Sequence, residues 1–374
     1  MSSASSPLFA PLNVGDMKLA HRVVMAPMTR LRADSSYVIG DATVEYYRQR
    51  SAVPGTFVIT EFVTISSEAG GFPNMPGAYT DAQIAAWKKV VDAVHANGSY
   101  IFLQIGSLGR VGYPSILHAE GHPYVSSSPV PLAGRDETPV EMSESDIKRY
   151  VENYAKVAHA AVHVAGFDGV EIHACNGGLA EQFIQDTVNK RTDKYGGSIE
   201  NRARYLFEVT EAVSQAVGDK RIGVRFSPWS KGQGMGMVDP IPTYSHIISG
   251  LAKGHPELAY IHMIEPGIES SATVPVDIQA DGKMPSNDFA YELWSPRPYL
   301  TAGGYTAESA KEAAEKRDNV AVVMGRPFIA NPDLPYRILH NLELAASDNS
   351  TWYTTGTEAT KGYIDYPSAV SAQA

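Results

Sequence analysis

The chain has 374 residues, 44% hydrophobic and 19% charged, with Gly 32 and Pro 24; it can bury a sizeable core and is neither disordered nor fibrous. A formal net charge of −10, with no Lys/Arg run to offset it, argues against nucleic acid as a partner. No eighteen-residue apolar window predicts a membrane span. The single cysteine, Cys175, cannot make an internal disulfide. Residues 1–7 lack a basic and then apolar leader pattern, so a cytoplasmic protein is expected.

Residues 1–15 read as a lead-in. Apolar runs of strand length follow at 23–27, 57–63, 100–105, 169–174, 222–228, 260–266, 299–305 and 320–326. Between them, 81–97, 143–165, 198–217, 243–253 and 306–316 carry helical period or caps. Ser198 shows the start signal: its hydroxyl can cap free amides, Glu200 sits in the positive first turn, and Ile199, Ala203, Leu206 and Val209 form an apolar stripe. The runs "GVEIHA", "IGVRFSP" and "AVVMG" have the continuous apolar character of strands buried on both faces, hence a parallel sheet. Eight βα repeats predict a single (β/α)8 TIM barrel across residues 1–374, a fold usually of about 250 residues. The surplus falls in 106–139, 185–197, 267–298 and the tail 345–374. An open doubly wound sheet would show a Gly-rich dinucleotide turn; the nearest candidate, "GQGMGM" at 232–237, misses the spacing.

Chemistry in such a barrel is built where strands end. The ends supply Pro27, Met28, Thr29 and Arg30, then Gln104, His173 and Asn176, Arg225, Gly303 and Gly304, and Gly325 and Arg326. Glycines that admit backbone amides, completed by an arginine after strands seven and eight, suit a phosphate; plain tight turns are the alternative. Arg225 stands in an apolar strand and needs an electron-rich partner, either a barrel carboxylate or a heterocycle. Gln104 offers both donor and acceptor to a heterocycle edge. His173 and Asn176 could converge on one substrate oxygen, or the histidine could be structural. His118 and His122 have i, i+4 spacing, but Gly121 and Pro123 oppose a helix, so no metal site is expected. Cys175 reads as an inert packed thiol.

The blocks "HRVVMAPMTRLRA", "YYRQRSAVPGTFVITE", "GFDGVEIHACNG", "RTDKYGGSIENRARYLFEV", "RPFIANPDLPYR" and "GYIDYP" resemble the old yellow enzymes, flavin mononucleotide (FMN)-dependent barrel oxidoreductases, over residues 8–367. "MAPMTR" and "AGGY" are most similar to fungal members acting in secondary metabolism, such as the chanoclavine aldehyde reductase or isomerase group. The resemblance implies that Pro27, Met28 and Thr29 lie along the flavin, Gln104 bonds its pyrimidine edge and Arg225 stabilises negative charge on it. Gly303, Gly304, Gly325 and Arg326 would hold the phosphate, and NADPH would supply the reducing equivalents. His173 and Asn176 would grip the carbonyl oxygen of a small-molecule α,β-unsaturated substrate, with Tyr353 at the pocket mouth in the tail. A monomer or homodimer is expected.

The family motif continues from His and Asn to a proton-donating tyrosine, and here that slot is Gly178. Tyr353 is the substitute donor the sequence offers. A frequent tryptophan falls at Gly106, a bulky residue falls within 230–232, and a phosphate-loop asparagine falls at Gly304. Emptied ring positions predict a wide substrate pocket and a bulky substrate. An ene-reductase is the first reading. A redox-neutral isomerase, or a flavin oxidase or desaturase, is the second, favoured by Gly178; a flavin-free lyase or binding protein is the third.

Overall fold

The computed structural model describes residues 6–369 apart from 270, 271, 274–278, 280, 281 and 283, so part of the expected 267–298 elaboration lies outside the described residues. Eight strands form a closed ring: β1 (Val23–Met25), β2 (Phe57–Ile59), β3 (Tyr100–Gly106), β4 (Gly169–Ala174), β5 (Ile222–Phe226), β6 (Tyr260–Ile264), β7 (Tyr299–Ala302) and β8 (Val320–Met324). Each pairs in parallel with the next, and β8 closes on β1 through Val322↔Val23 and Met324↔Met25. The expected (β/α)8 barrel is therefore the fold.

Six strands stop short of their apolar runs. Pro27, Pro228 and Pro266 carry no N–H for the ladder, so the chain leaves the sheet just before them and its next residues become the rim. The second run splits: after β2 the chain turns at Glu61, and Val63–Thr64 pairs separately with the end of β3, Val63↔Ile105 and Thr64↔Gly106.

The helices that cover the ring are α1 (Asp41–Arg50), α2 (Asp81–Ala96), α3 (Glu144–Ala160), α4 (Ile199–Val217), α5 (Ile241–Gly254), α6 (Asp288–Trp294), α7 (Ala307–Lys316) and α8 (Leu334–Leu339). Capping explains several starts. Thr80 with Gln83, Ser143 with Asp146 and Thr306 with Ser309 make reciprocal capping boxes, and the Ser198 hydroxyl accepts from the Asn201 N–H. The predicted 143–165 helix is α3 followed by one π turn, Ala161–Ala165, which ends on the left-handed Gly166. α1 escapes a periodicity argument because its buried set includes Thr43, Tyr46, Tyr47 and Arg50 rather than an aliphatic stripe.

Inside the ring, Phe57, Phe102 and Tyr260 pack edge to face or tilted at 5.1–5.8 Å, with Val24, Ile59, Leu300 and Val323 around them. A two-stranded hairpin, Leu12–Val14 against Met17–Leu19, plugs the N-terminal end with Val14, Met17 and Leu19. The opposite end is left for the site. No helix among the described residues is long and apolar enough to cross a membrane.

Candidate active site

Strand alternation points Gln104, Glu171, His173, Arg225 and His262 into the upper barrel. Register sets Gln104 beside Glu171 and Arg225 between His173 and His262. Glu171, fully buried, accepts from Gln104 Nε2 at 2.7 Å, the Tyr260 hydroxyl at 3.1 Å and His262 Nδ1 at 2.8 Å. Burial pushes this carboxyl up, but His262, Arg225 and the Gln104 bond outweigh it and hold it below the usual carboxylate range. Gln104 thus gives one amide hydrogen to Glu171, which fixes its side chain; the other predicted site residues line one cavity. Pro27, Met28, Thr29, His173, Asn176, Arg225, Gly303, Gly304, Gly325, Arg326 and Tyr353 all line one cavity of about 410 Å³.

At one end of that cavity the glycines are required by geometry. A Cβ on Gly303 would stand 2.6 Å from Glu265 Cβ, and Gly304 adopts φ +68° with Arg326 Nη2 3.9 Å from where its Cβ would be. Arg225 Nε is buried and has no hydrogen-bond partner among the described residues, and neither has His173 Nδ1. An orphaned guanidinium N–H beside a glycine–arginine cradle fits a planar, electron-rich ring carrying a phosphate tail, which is the chemistry of FMN.

The other end presents His173 and Asn176. Burial, and then the Arg225 cation, pull His173 down to about 3, so it is neutral across the physiological range and donates from one ring nitrogen. Asn176 sits at φ 51° and Gly177 at φ 79°, and this left-handed turn is held from behind by Glu181. Glu181 Oε2 accepts from the Gly177 N–H at 2.7 Å; Oε1 accepts from Ser227 Oγ, Gln185 Nε2 and the Tyr244 hydroxyl at 2.9–3.0 Å. Ser227 Oγ in turn accepts from the Asn176 N–H at 2.8 Å. Burial pushes Glu181 up to about 7, against the pull of those hydrogen bonds. A similar clamp stands behind β1. Glu61 Oε2 accepts from the N–H groups of Arg30 and Leu31, the latter at φ 58°.

At Gly106, one of the positions expected to widen the pocket, a neighbouring ring occupies the space, and Gly178 is closely approached as well. A Cβ on Gly106 would lie 2.5 Å from the Phe62 ring, and one on Gly178 would lie 2.7 Å from His173 Nδ1. The remaining wall is apolar: Phe62, Met75, Leu108 and Val111 form their own cluster with Leu31 and Phe72 against it. Gln233 also lines the cavity, its carbonyl held by Arg110 Nη2 at 2.8 Å, while Arg110 Nη1 reaches Val130 O at 3.0 Å.

The tail is fastened by arginines of the loop after β1 and of α1. Arg30 donates to Trp352 O and Gly362 O, Arg32 to Thr351 O and Ala359 O, and Arg50 to Tyr363 O, all at 2.9–3.1 Å. Tyr363 stacks on Tyr46 at 4.2 Å. Arg30, expected among the strand-end polar groups, lies on the cavity wall and spends its guanidinium on this strap, which brings Trp352 and the half-exposed Tyr353 to the cavity mouth.

Cys175 is buried, and burial pushes its thiol well up. No group of three metal-ligating side chains exists among the described residues; His118 pairs with Glu137 and His122 with Ser67. Sequence reasoning missed Glu171, His262 and Glu181. A charged residue inside "GVEIHA" was the available signal, identical in kind to Arg225 inside "VRFSP". Nothing local marks Phe62 or the arginine strap.

Comparison with known proteins bears on this arrangement. Residues 7–345 match the model of the NADH:flavin oxidoreductase / NADH oxidase family. The chain is 48% identical over 364 residues to a chanoclavine-I aldehyde reductase of Penicillium roqueforti, covering 96% of this chain and 95% of that one. An NADP-dependent oxidoreductase of Aspergillus flavus is 45% identical (97% and 96% covered), and a protein of Epichloe festucae var. lolii named as a probable inactive reductase is 42% identical (97% and 96%). The crystal structure of Old Yellow Enzyme from Pichia sp. superposes with a TM-score of 0.89 at 35% identity, covering 98% of this chain and 94% of that one. A closed parallel barrel, one cavity at its C-terminal rim and these likenesses lead to one conclusion: the chain belongs to the NADH:flavin oxidoreductase / NADH oxidase family, as an oxidoreductase of the old yellow enzyme type.

Proposed function

We propose that this protein is an FMN- and NADPH-dependent reductase of neutral, largely apolar α,β-unsaturated carbonyl compounds in fungal secondary metabolism, working in the cytoplasm. FMN, when bound, would take reducing equivalents from NADPH and pass them to the β-carbon of the substrate. The chain's own residues supply the rest. Arg225, with its unpartnered Nε, would face the flavin and offset the negative charge it gains. Gly303, Gly304, Gly325 and Arg326 would hold the phosphate. Neutral His173 and Asn176 would donate to the carbonyl oxygen, drawing electron density from the β-carbon. The apolar wall of Phe62, Met75, Leu108 and Val111 would exclude water from the hydrocarbon body. No Asp or Glu lines the described cavity wall, which disfavours a cationic substrate. Gln104, steadied by Glu171, would bond the pyrimidine edge of the flavin with the rest of its amide.

Gly178 cannot give a proton, so the α-carbon proton would come from Tyr353 or solvent. The same glycine favours a second reading, a redox-neutral isomerase or a flavin oxidase or desaturase on the same site. The carrying observation is the pairing of the unpartnered Arg225 Nε with a glycine–arginine cradle in one cavity. The test is anaerobic: NADPH is added to the purified protein, the oxidised-flavin band is followed, and neutral enals and enones are then supplied. Reductase action restores the band with one saturated product per NADPH. Restoration by oxygen alone favours the second reading, and a protein that purifies without flavin and binds none overturns both.

A further inference from the structure

Position 106 ends β3, where it points toward the cavity beside His173. Its Cβ would stand 2.5 Å from Phe62 Cε2, 3.0 Å from Phe62 Cζ and 3.1 Å from His173 Cβ. No side chain fits there while Phe62 keeps its place, because real Cβ contacts do not close below 3.0 Å without a shift of the neighbour. Phe62 itself is buried, and its ring meets His173 edge to face, with centroids 4.8 Å apart and planes at 84°. Gly178 also stands against the imidazole: a Cβ there would be 2.7 Å from Nδ1 and 2.9 Å from Cε1. The histidine ring is therefore held in a slot formed by Phe62 and the bare backbone of Gly178.

On the reading that His173 grips a substrate carbonyl, we propose that Phe62 is the specificity-determining residue of this pocket and the brace that sets the His173 ring. It supplies, from the loop after β2, the aromatic wall that Gly106 cannot supply from the end of β3. The two positions form a reciprocal pair: a ring at one demands glycine at the other. A side chain restored at 178 must also displace the imidazole that Phe62 packs against.

A double-substitution cycle tests this, with variants Phe62→Ala, Gly106→Ala and the pair, plus Phe62→Leu as a conservative control. Gly106→Ala lowers the thermal midpoint when Phe62 is present and has little effect, or raises it, when residue 62 is alanine. This arm needs no flavin and stands whatever reaction the protein runs; additive shifts overturn the reciprocal pair. In the activity arm, Phe62→Ala is compared with the unsubstituted protein, its flavin content and bleaching by NADPH being measured first. It raises the ratio of kcat/KM for a ring-bearing enal over that for a linear enal by about 10-fold or more, mainly through KM, and Phe62→Leu lies between. A ratio within about 2-fold of the unsubstituted protein overturns the specificity role. A protein that NADPH does not bleach refutes the reductase reading and, with it, this kinetic arm, while the thermal cycle still decides the packing.

Discussion

The two faces of the cavity are built by different means. On the side proposed to take the flavin, Pro27 to Thr29, Arg225, Gly303, Gly304, Gly325 and Arg326 sit at or just past the ends of barrel strands, where parallel register fixes them. On the side proposed to take the substrate, Phe62, Phe72, Met75, Leu108, Val111, Gln233 and Tyr353 come from loops and the tail, and what fixes them is side-chain packing and buried polar clamps. The first face is dictated by the fold, and the second is negotiated residue by residue. Substitutions on the first should remove the cofactor, while those on the second should leave it bound and alter what it meets.

The largest expected break comes from Arg225→Ala. Removing the cation beside His173 that is proposed to face the flavin should cost about 100- to 1000-fold in turnover and weaken flavin retention, measured by released flavin per protein after purification. Full flavin occupancy with unchanged bleaching by NADPH would remove Arg225 from the first face. Next is Glu181→Gln. An amide cannot accept on both sides, so the Asn176–Gly177 turn loses a clamp, and kcat/KM for enals should fall about 10- to 100-fold with flavin content unchanged. Flavin loss in that variant would erase the distinction between the faces.

Gly178→Tyr comes third. Because His173 occupies the space its Cβ needs, this substitution alone should lower enal reduction about 10-fold rather than add a working proton donor. Increased reduction, read from product per NADPH, would show that the slot yields easily. The smallest effect concerns pH. Glu181 is pushed up to about 7 in the fold from an ordinary 4.5, so its contribution to stability is present below pH 4.5 and is lost as pH rises toward 7. The unsubstituted protein should therefore lose thermal midpoint relative to Glu181→Gln across that window. A difference that stays constant from pH 4.5 to 7.5 would show that the carboxyl titrates normally. His173, pulled down to about 3, should add no titration above pH 4 to the carbonyl-reducing step.

Much of the first face was legible in the sequence because apolar runs give strands, and strands give their ends. Arg225, His173 and the two glycine pairs followed from that. Gln104 shows the limit: its inward direction is a matter of local alternation, but its partner, Glu171, depends on the pairing of two strands whose residues are 67 positions apart. Phe62 and Gly106 show another. A missing tryptophan reads as empty space until a ring from elsewhere is seen to fill it. Arg30 reads as a strand-end polar group at the site for the same reason, since its carbonyl partners, Trp352 and Gly362, lie more than 320 positions downstream.

That strap ties the mouth of the pocket to a remote stretch of chain. The last barrel strand ends at Met324, yet carbonyls that accept from Arg30, Arg32 and Arg50 belong to residues 351–363. A chain cut between these points keeps every barrel strand but must leave those guanidinium groups to water. The mouth of the pocket would thus register a truncation that strand pairing alone would not feel.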